Sequence, residues 1–265
     1  MLTLITAENG VKYLRSDMLK SRHGFSTRIG GVSEAPHTAS LNLAFGRGDP
    51  DETVRENLRR FADAVGVEAE SCVRRSQIHS AIVWEADASM RGDGFFTHTD
   101  AEGDGFVCSE PDVTLCVSTA DCVPILMEDP CAHVIGAVHA GWRGAAAGIA
   151  AECVRRMCAL GADAKNIRAA IGPSIEFACY EVGAEFPDAV AQLAGRRYAD
   201  ACVRPFNGHL HADVAELNRL FLTDAGVPDA QIDRSDFCTY CHPELFWSHR
   251  YTHGERGAML GAISL

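Results

Sequence analysis

The sequence predicts an α/β or α+β fold. It should have a mixed sheet with helices packed around it, in one domain spanning 1–265. Three observations carry that prediction. Apolar runs of strand length recur between residues 80 and 172. Helical patterns interrupt them irregularly, without the strict alternation of a βαβ array. No internal repeat or Pro/Gly/Ser-rich linker divides the chain. At 47% hydrophobic and 23% charged residues, the composition is globular.

LTLI and VKYLR flank the turn signal Glu8-Asn9-Gly10 and predict an opening hairpin. Residues 23–50 are rich in Gly, Ser, Pro and Asn and read as a long loop, a length usually reserved for function or disorder. Residues 51–66 place Val54, Leu58, Phe61 and Val65 at helical spacing, and the acidic residues at the start suit the helix dipole. Strand-like runs follow at 80–86, 105–109, 113–118, 123–128, 133–139 and 167–172. Residues 144–161, 184–195 and 213–225 read as helices, the last capped by Gly226.

The formal net charge is −12, which argues against general affinity for nucleic acid or anionic membrane. The N-terminus lacks a basic region followed by an apolar core, and no run approaches the ~20 apolar residues of a membrane span. A cytoplasmic location is therefore expected. Eleven cysteines cannot all pair among themselves, and their spacings form no regular framework. Most read as reduced thiols; Cys108, Cys116 and Cys153 fall in apolar patterns and read as core.

Several residues invite chemistry. His139 ends an apolar strand and precedes Ala-Gly-Trp-Arg-Gly and a helix, an arrangement that offers free N–H groups and Arg143 to an anion. The alternative is an ordinary turn over a packed Trp142. Asp121 and Cys122 sit between two apolar runs, although Cys122 taken alone reads as a core thiol. His79, in Gln77-Ile78-His79, taken alone reads as structural. Together His79, Cys122 and His139 are ligand types that zinc favours, with a fourth position left open, but they match no short metal motif. Arg28 and Arg47, in the glycine-rich loop, would bind phosphate, close over a substrate, or be solvated. The loop 171–183, with Cys179 and Tyr180, would line a pocket or turn the chain. Cys238-Thr239-Tyr240-Cys241 has the spacing of a redox dithiol or half a zinc knuckle, but no second such pair accompanies it.

The motifs HGFSTRIGGVS, SLNLAFGRGD, SQIH, GDGFVCSEPDVTLCVSTADCVPILMED, AVHAGWRG, IGPSIEFACYEVG and CTYCHPELFWSHR…ERGAMLGAISL occur in this order. In that order, over about residues 20–263, the chain resembles the YfiH-like family. That family carries both a multicopper polyphenol oxidase (laccase) label and a description as purine nucleoside phosphorylase. The resemblance implies a YfiH-like α/β domain with one zinc per chain on His79, Cys122 and His139; its laccase label implies copper, which the shortage of H-x-H pairs disfavours. It implies phosphorolysis of adenosine, inosine, guanosine and methylthioadenosine, with adenosine deamination. Asp121 would then be a proton shuttle or an orienting residue, and Arg28 and Arg143 would hold phosphate or ribose. Arg28, Asn42, Arg47, Gln77 and Cys179 are expected to contact substrate. The expected partners are purine nucleosides and inorganic phosphate, with no nucleic acid and no membrane, for a monomer. Departures from the family pattern include IEFACYEV, which keeps one of two adjacent cysteines, and bear on substrate preference.

Other readings remain at this stage. A cysteine hydrolase or amidase editing peptidoglycan precursors would use Cys122 as nucleophile and His139 as base. A copper phenol oxidase would need several H-x-H pairs, and His209-Leu210-His211 is the only one. A zinc-stabilised binding module would need a fourth ligand.

Overall fold

In the computed structural model, which describes residues 1–265, the chain starts with β1 (Leu2–Thr6), β2 (Lys12–Ser16), β3 (Arg22–Ser26) and α1 (Asp51–Val65). Next come β4 (Cys72–Val73), β5 (Val83–Glu85), β6 (Gly105–Cys108), β7 (Thr114–Thr119), β8 (Val123–Asp129) and β9 (Val134–Ala140). α2 (Trp142–Ala146), α3 (Ile149–Ala159), β10 (Arg168–Ile171), β11 (Glu181–Val182), α4 (Phe186–Ala194) and α5 (Arg196–Cys202) follow. The chain closes with β12 (Val203–Phe206), β13 (His209–Ala212), α6 (Val214–Asp224), β14 (Ile232–Arg234), α7 (His249–Thr252) and β15 (Met259–Ser264).

The fold is mixed α/β, but it holds three sheets where one was expected. The first runs β1-β2-β3-β15-β7-β4 and the second β14-β10-β8-β9-β6-β5; β11-β13-β12 form a small third. In each large sheet antiparallel pairs dominate, with parallel pairs at the edges. Every residue of β8 and β9 is buried, which is why these strands read as continuous apolar runs instead of alternating ones.

Three apolar clusters separate four layers. One lies between the two large sheets, with Phe25, Leu115, Val117, Leu126, Ile135 and Met259 in it. A second joins the outer face of the first sheet to the buried side of α1 through Leu58, Phe61 and Leu260. The third packs helices α2 to α6 onto the outer face of the second sheet. Cys108, Cys116 and Cys153 are wholly buried, as their patterns implied, and all eleven cysteines are free thiols. No helix is long and apolar enough to cross a membrane.

Several elements depart from expectation. Residues 23–26 belong to β3, because Phe25 and its neighbours pair with β15, a strand the sequence reading left unassigned. The rest of the long loop is ordered around one carboxylate. Asp49 accepts hydrogen bonds from Ser33 Oγ (2.7 Å), Thr38 Oγ1 (2.8 Å) and Asn42 Nδ2 (2.8 Å). The helix expected over 144–161 is two helices, since Gly148 adopts φ +81° against the Phe221 ring. Asp213 caps α6 by accepting the Glu216 N–H at 2.9 Å.

His23 on β3 supplies a pH-dependent joint. Its Nε2 accepts the Ser16 N–H (3.1 Å), and its Nδ1 reaches the Ser21 carbonyl (2.7 Å). Burial pushes its pKa below the ordinary value, with Arg15 adding to the push and Glu128 opposing it. The folded state therefore binds the proton less readily than the unfolded state. The stabilisation is present above the unfolded pKa of ~6.5 and is lost as pH falls from there through the lower folded value. His23→Asn, which keeps a donor and an acceptor, should flatten this dependence: the wild-type Tm should fall more steeply than the variant's between pH 7 and 5. Parallel melting curves would contradict it.

Candidate active site

The β8–β9 hairpin explains why Cys122 and His139 meet across 17 residues. Pro124 opposes His139 and Val123 opposes Ala140, so Cys122, just before β8, lies at the same sheet end as His139. Asp104, just before β6, shares that end, and the segment 78–82 leads into neighbouring β5. The link Thr119-Ala120-Asp121-Cys122 also carries the chain from β7 in the first sheet to β8 in the second. The site therefore forms where the two sheets are joined.

His79, Cys122 and His139 present ligand atoms that all lie within 4.8 Å of one another, and Cys122 Sγ stands 3.6 Å from His79 Nε2. Two nitrogens and one sulfur are a donor set that suits tetrahedral zinc with an open fourth position. His139 is buried, Cys122 half-buried and His79 exposed, so one side of the cluster faces solvent. Burial alone would raise the Cys122 thiol, but the charge and hydrogen bond of His139, joined by those of His79, bring it down to about 6. Burial would lower His139, yet the Cys122 and Asp104 charges hold it at about 9. Cys122 is thus set as a thiolate, the form that binds metal.

Asp104, which the sequence reading did not single out, organises both histidines. Its carboxylate accepts His139 Nδ1–H at 2.9 Å, leaving Nε2 to face the cluster. It also accepts the backbone N–H groups of Ile78 (3.2 Å), His79 (3.0 Å) and Ser80 (2.7 Å) and the Ser80 hydroxyl (2.7 Å). Burial would raise this carboxyl, but the bonds from His139 and Ser80 outweigh it and leave it low. The three converging N–H groups hold His79 at φ +59°, a strained corner for a non-glycine residue.

The glycines of HAGWRG serve close packing. A Cβ on Gly141 would lie 1.9 Å from His79 Cδ2, and one on Gly144 would lie 2.5 Å from the Ser80 carbonyl oxygen. The helix that follows this turn, α2, has only five residues, and its glycine face packs on His79 and Ser80.

A cavity of about 690 Å³ opens onto the triad. Five arginines line it (Arg47, Arg55, Arg74, Arg75 and Arg256), together with Phe45 and Phe95 and, as its one lining carboxylate, Asp51. Arg55 pairs with Asp51 and Glu52, and Arg75 pairs with Asp93 at 2.7 Å. Arg47, Arg74 and Arg256 have no carboxylate partner within 4.0 Å. Burial lowers Arg256, and the charge of Arg47 lowers it further. The Nε atoms of Arg75 and Arg256 are buried without a hydrogen-bond partner. A chain of net charge −12 has thus gathered unpaired cations around one opening.

Of the other predicted residues, Arg47 and Gln77 line this cavity. The Gln77 amide is engaged in both directions with the Ser118 backbone, at 2.8 and 2.7 Å. Three others do not line the cavity. Arg28 lies outside the cavity lining; it donates to the Ala39 and Pro243 carbonyls and stacks 3.7 Å over Trp247. Asn42 is wholly buried, with its amide divided between Asp49 and the backbone of Ala44 and Ala258. Cys179 belongs to a separate thiol cluster.

Arg143 is exposed, stacked on Trp142, and does not line the cavity. Asp121 sits at φ +84°. Its oxygens accept Thr239 Oγ1–H (2.6 Å) and the Arg250 N–H (2.7 Å), which favours the orienting role over the shuttle. The H-x-H pair lies on β13: His209 contacts Glu181 and His211 reaches the Phe177 carbonyl.

The family model described as multi-copper polyphenol oxidoreductase laccase matches residues 22–265. A purine nucleoside phosphorylase of Deinococcus radiodurans is 39% identical, covering 97% of this chain and 94% of that one. Adenosine deaminase RL5, from an unknown prokaryotic organism, is 37% identical over 88% of this chain and 91% of its own. The crystal structure of the Bacillus licheniformis hypothetical protein YfiH superposes with a TM-score of 0.86 at 33% identity, covering 100% of this chain and 96% of that one.

Asp104→Asn should weaken zinc binding about 10–100-fold, the usual effect of losing a ligand-orienting carboxylate. Competition against a chromophoric chelator measures this, and an unchanged affinity would remove Asp104 from the account. Gly141→Ala should weaken zinc binding too, because the added methyl must displace the His79 ring.

Proposed function

The chain belongs to the multi-copper polyphenol oxidoreductase laccase family, and from that premise we propose that it is a zinc-dependent purine nucleoside phosphorylase that also deaminates adenosine. The observation that carries this reading is the arginine-lined cavity meeting the His79–Cys122–His139 triad, with the Arg256 Nε left unpartnered inside it. We assign residues 1–265 to one domain acting on nucleoside and inorganic phosphate.

Phosphorolysis forms a bond from a phosphate oxygen to C1′ and breaks the glycosidic C–N bond, giving ribose-1-phosphate and the free purine. The attacking group carries negative charge throughout, so Arg47, Arg74 and Arg256 are assigned to bind and orient it. Phe45 and Phe95 offer aromatic surface for the base. His79, Cys122 and His139 would hold zinc, which when bound supplies Lewis acidity at the open position. Asp104 fixes the two histidines, and Asp121 holds the left-handed corner that presents Cys122. Deamination exchanges the C6 amino group of adenine for oxygen from water and needs no phosphate site.

A second reading has one observation in its favour: Asp104, His139 and Cys122 are ordered as carboxylate, imidazole and thiol, as in a cysteine hydrolase. The two readings part on chelation. A nucleoside phosphorylase of this design loses activity with its zinc and regains it on zinc return, whereas a cysteine hydrolase is freed by metal removal.

Incubation of adenosine with and without phosphate tests the proposal. Ribose-1-phosphate and adenine should appear only with phosphate, and inosine in either case. Arg256→Ala should raise the phosphate KM about 10–100-fold, equivalent to the ~1.5–3 kcal/mol of a charge-assisted hydrogen bond, and leave deamination near wild type. Equal losses in both reactions would contradict the assignment.

A further inference from the structure

A second cluster of soft ligands lies apart from the triad. Cys179 ends a 3₁₀ turn at Phe177–Cys179, and Cys238 and Cys241 flank the turn that follows β14. Their sulfurs all lie within 4.8 Å of one another, and Cys179 and Cys241 stand 3.2 Å apart as free thiols.

The surroundings of Cys238 are those of a thiolate held for a cation. Its sulfur accepts the Glu176 N–H at 3.4 Å, and Cys238 opens the turn that carries the Tyr240 and Cys241 N–H groups. Backbone N–H groups converging on the first sulfur of a C-x-x-C turn compensate the charge of a metal-bound thiolate. The turn is held to the Cys179 segment by the Ser174–Cys238 bridge and by the Thr239 N–H bond to the Ser174 carbonyl (3.0 Å). Cys238 is buried and Cys241 exposed, so an ion has a route in.

We propose that Cys179, Cys238 and Cys241 bind a thiophilic cation, zinc(II), through three thiolates and one solvent position. Zinc–sulfur bonds of ~2.3 Å set tetrahedral edges of about 3.8 Å, close to the present spacing, so rotation of the side chains suffices. Each thiol gives up its proton to solvent on binding. Because binding releases these protons, affinity rises with pH. The ion pins the turn whose Thr239 hydroxyl donates to Asp121, the neighbour of Cys122. The site is thereby coupled to the triad while sharing no ligand with it.

Reduced, chelator-stripped protein titrated with zinc(II), and in parallel with cobalt(II), tests this. Cys122→Ala removes the triad's only sulfur, so its cobalt form should retain a sulfur-to-metal charge-transfer band, and Cys122→Ala/Cys241→Ser should lose it. Wild type should bind one more zinc per chain than Cys241→Ser. Cys241 is exposed, and melting curves confirm that the variants fold. Equal zinc stoichiometry in wild type and Cys241→Ser, or no band in Cys122→Ala, would overturn the proposal.

Discussion

The Asp104 carboxylate is the interaction on which the rest of the site depends. It is buried and ionised, a condition that costs several kcal/mol unless donors surround the charge. Five donors do so, and four of them belong to residues 78–80 while the fifth is the His139 ring. One charge thus fixes a backbone corner, the ring orientation of one histidine and the direction of another. Its own N–H and carbonyl join the Ile82 carbonyl and the His139 N–H, tying the same two segments a second time.

The two-sheet architecture supplies the other half of the design. Cys122 is reached by a chain crossing from one sheet to the other, and His79 is tied by Gln77 to Ser118 on the first sheet while its own N–H is tied to Asp104 on the second. A cavity between the ends of both sheets follows, and it collects arginines from well-separated segments: Arg47 from the ordered loop, Arg74 and Arg75 after β4, and Arg256 before β15. Arg75 is paired with Asp93, but Arg47, Arg74 and Arg256 come together without carboxylates and repel one another, and a bound anion relieves that repulsion. An acidic protein can in this way keep a locally positive opening suited to an anion.

Residues that sit on single elements were legible in the sequence. The apolar hairpin strands, the turn glycines after His139 and the helix at 51–65 follow from local pattern, and the order of the motifs pointed to His79, Cys122 and His139, which the fold brings together. What was illegible depends on contacts between distant segments. Asp104 sits in a Gly-Asp-Gly stretch that looks like any turn, and only the fold brings it to His79 and His139. Arg28 and Asn42 were expected at the site because polar residues in a glycine-rich loop resemble ligands, and their structural partners in the loop depend on contacts the sequence does not display. β15 was missed because Gly261 and Ala262 dilute its apolar pattern, although Gly261 is what allows it to pass the Phe25 ring. The helix break at Gly148 was hidden inside an alanine-rich run.

The central claim is that one carboxylate holds two histidines so that, with Cys122, they form a metal site open to the arginine-lined cavity. Anomalous diffraction from crystals at the zinc edge tests it most directly. The account predicts a peak bonded to His79, Cys122 and His139, with Asp104 still on His139 Nδ1 and the fourth position facing the cavity. A fully loaded crystal with no peak at the triad, or with His139 turned away from Asp104 to bind the ion, would contradict it.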